Sequence, residues 1–417
     1  MIGLERGNVR IDAYDPVWKT VAQEHCQRIQ AALEHMAIDV QHVGSTSVPG
    51  LPAKPIIDIA VAVQSFDQEI IPVMEKIGYI HRPNCDDEGQ IFFVEGEGNR
   101  RTAHIHVVKY MSMEWRNYIN FREYLKTFPE KKEAYADLKK QLAHRYPNDR
   151  EQYTAAKADF ICYALRKAMV WSYLGKRIDA EVDRPIGYLH RKGDKELLYP
   201  VNYGFIPGVL GGDGEELDVY LLGVNEPVAE YNAKIIGIAH RENDVEDKLI
   251  AAPEGKVFYQ NEIAEAIHFQ EQYYKTYIES INEKSAGAVV YTVVDERIKY
   301  LLIKSQNGDI GFPKGHIEQG ETEETAALRE IFEETSVKVE LLHDFKETVA
   351  YTMPNGKNKA VVYFAAKFQN QTPKHNDGFE HNEYMLLEFE EALNSLTFDN
   401  MKEILVKANE YLKGVIL

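Results

Sequence analysis

Residues 315–337 constrain the fold of this chain most strongly, because their pattern predicts a loop, a helix and a second loop. The sequence there is GHIEQGETEETAALREIFEETSV. Gly320 precedes an acidic stretch that suits a helix N-terminus, and a run of good helix formers follows. On that helix Glu330, Glu333 and Glu334 stand at i, i+3 and i+4, so they share one face.

Two interpretations of this acidic face are open. Three carboxylates on one helix face repel one another by about 0.2–0.5 kcal/mol for each exposed pair, and a solvated face tolerates that cost. A divalent cation turns the repulsion into binding, because Mg²⁺ takes oxygen ligands and keeps several waters. Helical spacing alone does not decide between a solvated face and a metal site.

The whole run resembles the Nudix hydrolase signature, which has Gly, five residues, Glu, seven residues, then Arg-Glu-apolar-x-Glu-Glu-x-Gly-apolar. The matching residues are Gly315, Glu321, Arg329, Glu330, Ile331, Glu333, Glu334, Ser336 and Val337. Ser336 replaces the usual Gly at the end of the helix, which predicts a strained left-handed turn. With its flanking strands the resemblance covers about residues 282–417.

This resemblance implies an enzyme that hydrolyses a nucleoside diphosphate linked to another group. Glu330, Glu333 and Glu334 would ligate Mg²⁺, with Mn²⁺ as the alternative ion, and the metal would neutralise charge and activate a water. Arg329 would orient the acidic cluster through a bidentate pair, so Arg329, Glu333 and Glu334 are the candidate catalytic residues. The simpler reading of Arg329 is a surface partner at i,i+4.

The residues before the helix narrow the substrate. The sequence GFPKGHIEQGET at 311–322 resembles the bis(5′-nucleosyl)-tetraphosphate hydrolase branch of the family. That likeness implies a nucleotide or dinucleoside polyphosphate substrate, with diadenosine tetraphosphate giving ATP and AMP. Lys314 would contact a phosphate oxygen as a point charge, and Glu318 would be an accessory carboxylate near the metals.

Downstream residues extend the same likeness. Lys357 and Lys359 precede a strand in YTMPNGKNKAVVYFAAKF and are candidates for binding phosphate, or for the charged tip of a hairpin. Tyr363 is a candidate for stacking on adenine, or a core residue if its strand is central. Glu383 is the candidate general base in the second half of this segment.

The middle of the chain resembles the family I inorganic pyrophosphatases, whose fold is an OB-like β-barrel. The sequence YPVNYGFIPGVLGGDGEELDVYLLG at 199–223 carries the likeness. Asp213, Glu215 and Asp218 match the family's three metal-binding acids, but Glu215 stands in place of Asp and a Glu replaces the Pro after it. One extra methylene displaces carboxylate oxygens, which octahedral Mg²⁺ tolerates poorly.

A second acidic motif follows in ENDVEDKLIAAP. Asp247 and Asp244 are candidate metal ligands and Lys248 a candidate phosphate-binding group, although Arg241 stands about where an acid is expected. Two readings stay open for the segment: an active pyrophosphatase, and a degenerate barrel that serves as a binding or spacing module.

The first part of the chain resembles the GrpB family, placed in the nucleotidyltransferase superfamily, over about residues 8–168. In HVGSTSVPGLPAKPIIDIAVAV the turn at Gly44 and Ser45 would cradle a phosphate, and a strand bears Asp58, with Lys54 nearby. The second carboxylate of active nucleotidyltransferases is replaced by Ala60, so nucleotide binding is favoured over transfer.

Two histidines on the partner strand, His104 and His106, alternate and could share a face with Asp58. They would then complete a metal or phosphate site around Asp58. The alternative is that both are simply hydrogen-bonded within the sheet.

Changes of pattern predict a multidomain α+β protein with domains at 1–172, 173–281 and 282–417. These are a nucleotidyltransferase-like α/β domain, a small OB-like barrel and a Nudix α/β/α sandwich. Elements are predicted as a helix at 18–36, a strand at 56–63, a hairpin-like pair at 90–94 and 103–110, helices across 112–173, a helix at 261–281 and a strand at 286–294.

Composition limits the partners. Lys and Arg total 48 against 66 Asp and Glu, a net charge of −18, which disfavours long nucleic acid and anionic membranes. The three cysteines form no CxxC pair, which argues against a disulfide framework or zinc site and fits a reducing compartment. The absence of a signal-peptide pattern and of a long apolar stretch predicts a cytoplasmic protein; protein partners are not indicated.

A rival to the enzyme hypothesis is a nucleotide sensor or scaffold, in which all three sites bind and little turns over. The altered acids of the first two segments favour it, and the intact Nudix acids oppose it. A second enzyme alternative is a Nudix pyrophosphohydrolase for nucleoside triphosphates or capped RNA.

Overall fold

A computed structural model describes residues 2–193, 195–374 and 383–416. The chain is a multidomain α/β protein that divides into two compact units, Met1–Tyr173 and Leu174–Leu417. The three-domain division expected at 172 and 281 stays a prediction. Within the described ranges, no helix has the length and apolar character needed to cross a bilayer.

The first unit is built on a five-stranded sheet. Its strands, in spatial order, are Ala37–Val43, Ile57–Val63, Ala103–Lys109, Gln90–Glu95 and Ile80–His81. The second and third strands run parallel and the other neighbours antiparallel. The strand IDIAVAV is almost entirely buried, as expected for a strand covered on both faces.

Helices cover both faces of this sheet. Val17–Leu33 packs Trp18, Ala22 and Ile29 on one side, and Met113–Thr127 brings Trp115 against Ala60 on the other. The remaining helices are Ile70–Lys76, Pro129–Arg145, Arg150–Ala155 and Ala158–Trp171, with single 3₁₀ turns at Glu34–Met36, Ser45–Ser47 and Pro83–Cys85. A short ribbon pairs Leu4–Glu5 with Arg100–Arg101. The elements predicted for this part are confirmed to within a few residues.

The second unit begins with a closed ring of five strands. They are, in order around the ring, Arg177–Arg184, Asn202–Leu210, Glu216–Leu221, Lys248–Ala252 and Glu230–Arg241. Glu230–Arg241 pairs with Lys248–Ala252 and with Arg177–Arg184, which closes the ring. A hairpin of Leu189–Lys192 and Lys195–Leu198 stands beside it.

The helix predicted at 261–281 is wrong in its second half. The helix is Gln260–Glu271, and Thr276–Ser280 is a strand that pairs with Glu230–Arg241. The sequence TYIES alternates β-branched, aromatic and charged residues, which favours a strand once a neighbouring edge is available. That edge belongs to the ring and is distant in sequence, so local propensity did not reveal it.

The last part of the second unit is a mixed sheet between two helical layers. Its centre is the parallel pair Asn282–Val294 and Asn358–Lys367. The other strands are Arg297–Lys304, Ile310–Gly311, Lys314–His316, Glu340–Thr352 and Glu383–Leu387. Helix Glu323–Thr335 packs on one face, and helices Phe389–Ser395 and Asp399–Ile416 pack on the other.

Helix Glu323–Thr335 ends in the left-handed turn that the sequence predicts. Ser336 has φ 56° and ψ 18°, and its amide donates to Phe332 O at 2.8 Å. A Cβ makes this conformation costly by about 1–2 kcal/mol, whereas glycine adopts it freely.

We therefore expect Ser336→Gly to stabilise the chain by about 1 kcal/mol. The measurement is the calorimetric melting midpoint of the full chain, with Ser336→Ala as the control that keeps the Cβ. Ala should not raise the midpoint, and a lower midpoint for the Gly variant would contradict the strain.

Candidate active site

The start of the acidic helix is fixed by two threonines. Thr322 Oγ1 accepts from the amide of Thr325 at 3.2 Å, and Thr325 Oγ1 accepts from the amide of Thr322 at 2.8 Å. This reciprocal cap satisfies two helix-end donors. Because both helix ends are fixed, the face bearing Glu330, Glu333 and Glu334 has one orientation.

Arg329 donates from every guanidinium N–H, four times to carboxylates and once to a backbone carbonyl. Nε and Nη2 donate to the two oxygens of Glu321 at 2.7 and 2.8 Å, a bidentate pair. Nη1 donates to Glu330 at 2.8 Å and to Glu333 at 3.0 Å, and Nη2 also donates to the carbonyl of His316 at 2.8 Å. The planar fork of arginine suits this arrangement in a way that lysine could not.

Glu330 and Glu334 lie against the loop that precedes the helix. A Cβ added at Gly315 would fall 1.9 Å from the carboxyl carbon of Glu330, so only glycine allows this approach. Glu334 Oε2 accepts from the amide of Lys314 at 2.8 Å. Burial raises the pKa of Glu330, and the nearby charge of Glu333 adds to this while Arg329 opposes it.

A cavity of about 660 Å³ opens beside these acids. Glu334 and Lys314 line it together with aromatic residues from two strands and two loops. The aromatic lining residues are Phe312, Tyr351, Tyr363 and Phe398. Tyr363 is 1 % exposed and meets Phe312 edge-to-face at 5.6 Å between ring centroids, so it is both a core residue and part of the cavity wall.

Lys357 and Lys359 meet acids of two strands, Glu279 of Thr276–Ser280 and Glu283 of Asn282–Val294. Lys359 is buried, with Nζ 2.8 Å from His316 Nε2 and 3.3 Å from Glu283. Lys357 lies 3.5 Å from Glu283 and 3.6 Å from Glu279. Lys359 therefore contacts His316, which precedes helix Glu323–Thr335. Lys357 contacts Glu279, which lies in the strand that pairs with the ring strand Glu230–Arg241. Neither lysine lines the cavity.

Glu318 and Glu383 are both exposed. The amide of Glu318 donates to Glu321 at 2.9 Å, which keeps that residue in the loop before the helix. Glu383 begins its strand and pairs with Lys304 at 3.0 Å. Their assigned roles stay predictions.

The acidic face suits a divalent cation by the chemistry of its donors. Glu330 lies against Gly315, Glu334 accepts from the amide of Lys314, and Glu333 shares Arg329 with Glu330, and hard cations such as Mg²⁺ prefer such oxygen ligands. In the described part of the chain no three acidic, His or Cys side chains stand in ion-binding geometry, since Glu330 and Glu333 are turned to Arg329. Binding of an ion would have to compete with those hydrogen bonds.

A second cluster of acidic residues lies in the ring segment, around Lys248. The Lys248 ammonium lies between the carboxylates of Asp218 and Glu246. Glu246 is 4 % exposed, and burial raises its pKa, opposed by Lys248 and reinforced by Asp218 and Asp213. Its Oε1 has no hydrogen-bond partner among the described residues. Asp213 and Glu215 are exposed in the adjacent turn.

Sequence reasoning selected Asp247 here and missed Glu246. Asp247 Oδ2 pairs with His240 at 2.8 Å and its Oδ1 accepts from the amide of Arg241, away from Asp218. Side chains alternate along an extended chain, so Glu246 and Lys248 point to one side and Asp247 to the other. This alternation was the signal available in the sequence.

In the first unit Asp58 lies beneath the glycine turn. A Cβ on Gly44 would stand 2.5 Å from Asp58 Oδ2, and Gly44 has φ +67°. His104 Nδ1 lies 3.1 Å from Asp58 Oδ1. Burial opposes ionisation of Asp58, but the hydrogen bond to His104 and the neighbouring charges of His106 and Lys54 outweigh it and lower the pKa of Asp58.

His106 and Ser45 are held by other partners. His106 Nδ1 lies 2.9 Å from the Tyr118 hydroxyl and 3.1 Å from Gln90, and burial lowers the pKa of His106 to about 4. Burial raises the pKa of Tyr135 to about 12, and the nearby Ser45 side chain opposes this. His104 therefore contacts Asp58, whereas His106 contacts Gln90 in the sheet and Tyr118 on helix Met113–Thr127.

Three protein families match successive parts of the chain. The match is to GrpB protein over residues 8–167, to inorganic pyrophosphatase over 174–288 and to the NUDIX domain over 283–407. The last two overlap within strand Asn282–Val294, which runs from one segment into the next.

Two relatives support the first and last matches. The glutamate-rich protein GrpB of Alkalihalophilus pseudofirmus is 34 % identical over 170 residues, 39 % of this chain and 96 % of that protein. The asymmetrical bis(5′-nucleosyl)-tetraphosphatase of Caenorhabditis elegans is 33 % identical over 136 residues, 31 % of this chain and 97 % of that protein. A crystal structure of a C. elegans Ap4A hydrolase binary complex is 31 % identical, covering 32 % of this chain and 98 % of that one with a TM-score of 0.30.

These matches support hydrolysis of a phosphoanhydride by the last segment, in a family whose members are generally dependent on divalent metals. They also account for the loop–helix–loop that the sequence predicts at 315–337. The chain belongs to the GrpB family through its first segment and to the Nudix family through its last, with a pyrophosphatase-like segment between them.

Proposed function

We propose that the Nudix segment hydrolyses dinucleoside polyphosphates, diadenosine tetraphosphate first among them, to ATP and AMP. Glu330, Glu333 and Glu334 would hold Mg²⁺, with Mn²⁺ as the alternative ion. The other two segments would act as accessory phosphate- or nucleotide-binding parts. The C. elegans relative, a tetraphosphatase by name, supports the substrate class.

Glu334 is the residue that carries this proposal. Its carboxylate belongs to the acidic face, accepts from the amide of Lys314, and lines the 660 Å³ cavity. A cavity of that size and mixed lining suits a small ligand with an apolar part and a charged part. A phosphate chain bound beside Glu334 would thus place its anhydride next to the acids.

Residues of the chain would orient the acids and bind the substrate. The guanidinium of Arg329 holds Glu321, Glu330 and Glu333 together on one side of the helix, so only the hydrogen bonds to Glu330 and Glu333 would have to shift when an ion binds. The ammonium of Lys314 would attract a phosphate oxygen, and the exposed ring of Tyr351 offers a surface for a base. A bound divalent ion would supply charge neutralisation and an activated water.

The products of the reaction test the substrate. We expect the full chain with Mg²⁺ to convert diadenosine tetraphosphate into ATP and AMP in equal amounts, read by mass spectrometry, because a cut beside one nucleoside monophosphate leaves a triphosphate. The same mixture with EDTA is the control and should stay unreacted. Two molecules of ADP, or no product, would contradict the proposal; faster turnover of a nucleoside triphosphate or capped RNA would favour the other Nudix chemistry.

A further inference from the structure

Four cations line a narrow cleft of about 10 Å³ in the first unit, and two further lysines lie near Lys54. The lining cations are Arg6, Lys54, Arg101 and Arg150, and we call this feature the basic cleft. Lys54 and Lys157 both place Nζ over the ring of Tyr153, at 4.6 and 4.7 Å from its centroid. Lys139, only 2 % exposed, donates to the carbonyl of Pro52.

These cations lack anionic partners. Within residues 2–193, 195–374 and 383–416, no carboxylate lies within 4.0 Å of any of the six. Glu5 also lines the cleft, but its carboxylate accepts from Asn8 at 3.4 Å. The charge of Asp58 raises the pKa of Lys54, but the Asp58 carboxylate is hydrogen-bonded to His104. An uncompensated cluster in a chain of net charge −18 is costly unless it binds an anion.

Burial and mutual repulsion lower the pKa values of the lysines. Burial, together with the charges of Lys157 and Arg150 and against the opposing charge of Asp58, lowers the pKa of Lys54 to about 7. Burial, with Lys157 and Lys54, lowers the pKa of Lys139 to about 6. A bound anion would reverse both effects, because an opposite charge favours the charged form of a lysine.

We propose that the cations of the basic cleft bind a small multivalent phosphate anion at the rim of the cleft, either free or as the phosphate chain of a nucleotide. Several converging charges call for an anion with more than one charge, and arginine forks match phosphate oxygens. A nucleic acid is disfavoured, since Arg101 is only 8 % exposed and the chain as a whole is strongly negative. The inference rests on the phosphate- or nucleotide-binding role proposed above for the first segment, but the site is separate from the Nudix acids and does not depend on their activity.

The test is calorimetric titration of the full chain with inorganic triphosphate in EDTA, where the acidic sites lack a bridging cation. We expect one binding event, weakened at least tenfold in the double variant Lys54→Gln/Arg150→Gln. The double variant Lys19→Gln/Lys76→Gln removes the same charge from exposed positions of the same unit and should bind as the parent does. Absence of binding, or equal binding by the cleft variant, would overturn the proposal.

Stability separates a binding role from a structural one. All three tryptophans, Trp18, Trp115 and Trp171, lie in the first unit, so their fluorescence follows its melting. Without triphosphate the cleft variant should melt at or above the parent's midpoint, because repulsion is relieved; with triphosphate only the parent and charge control should gain stability. A lower midpoint for the unliganded variant would assign the cations a structural role and refute the proposal.

A single-site variant and a titration with ATP complete the test. If the double variant does not fold, Arg6→Gln at an exposed position is expected to weaken triphosphate binding about threefold, and unchanged binding would refute the proposal. Titration with ATP distinguishes the sources of the anion. Tighter binding of ATP than of triphosphate identifies a nucleotide, and equal binding identifies the phosphate chain alone; both support the cleft as the site.

Discussion

Glu333→Gln and Glu334→Gln are each expected to lower kcat/KM for diadenosine tetraphosphate by about a thousandfold, which corresponds to roughly 4 kcal/mol of transition-state stabilisation. A neutral amide keeps the shape of the side chain but removes the negative charge that a divalent cation needs. Glu333 also accepts from Arg329 at 3.0 Å, so its replacement loosens the clamp. The measurement is steady-state turnover of each pure variant with Mg²⁺.

Glu324→Gln is the matched control for these variants. It removes the same charge from the same helix, but Glu324 is in the first turn and away from the acidic face. It should keep near-parental turnover, and the far-ultraviolet circular dichroism of all three variants should match the parent. Parental turnover by both Glu333→Gln and Glu334→Gln would remove the metal-binding hypothesis.

Arg241→Met is expected to destabilise the ring segment by about 3–5 kcal/mol, because it leaves a buried carboxylate without its cation. Arg241 is 3 % exposed and makes a bidentate pair with Glu271 at 2.6 and 3.0 Å. Its Nη1 donates to Asp244 at 3.0 Å, and its guanidinium lies 3.7 Å from the ring centroid of Tyr274. Glu271 in addition accepts from Tyr220 and Thr276.

Hydrogen exchange of peptides from residues 230–281 is the appropriate measurement, since the tryptophans report only on the first unit. Arg191→Met is the control, because its pair with Glu196 is exposed and should contribute less than about 1 kcal/mol. Equal protection in both variants would show that Arg241 does not anchor helix Gln260–Glu271.

The pair of Arg241 and Glu271 also predicts how the stability of the ring segment changes with pH. Burial opposes ionisation of Glu271, but its hydrogen bonds from Arg241, Tyr220 and Thr276 outweigh this and lower its pKa. A lowered folded-state pKa contributes stability above the unfolded-state value, and that stability is lost as pH falls through the folded value. In Arg241→Met the Glu271 carboxyl is buried without its cation. The difference in unfolding free energy between variant and parent should therefore shrink as the pH is lowered.

Arg241 also shows how far sequence can describe this segment. The sequence marks it as a departure from an acidic motif, which suggests damaged chemistry. The structure gives it a partner thirty residues away, Glu271, on a helix whose end the sequence misplaced. Since the residues that satisfy a buried charge come from distant parts of the chain, local pattern reveals the substitution but not its role.

The sequence by itself determined the acidic helix, its shared face of Glu330, Glu333 and Glu334, and the left-handed end at Ser336, because helical periodicity and backbone preference act over a few residues. Only the tertiary structure decided that Glu334 borders a cavity, that Lys359 meets Glu283 and His316, and that Arg6, Arg101 and Arg150 converge on Lys54. Those arrangements depend on which strands become neighbours, and strand pairing joins residues that are far apart in the chain.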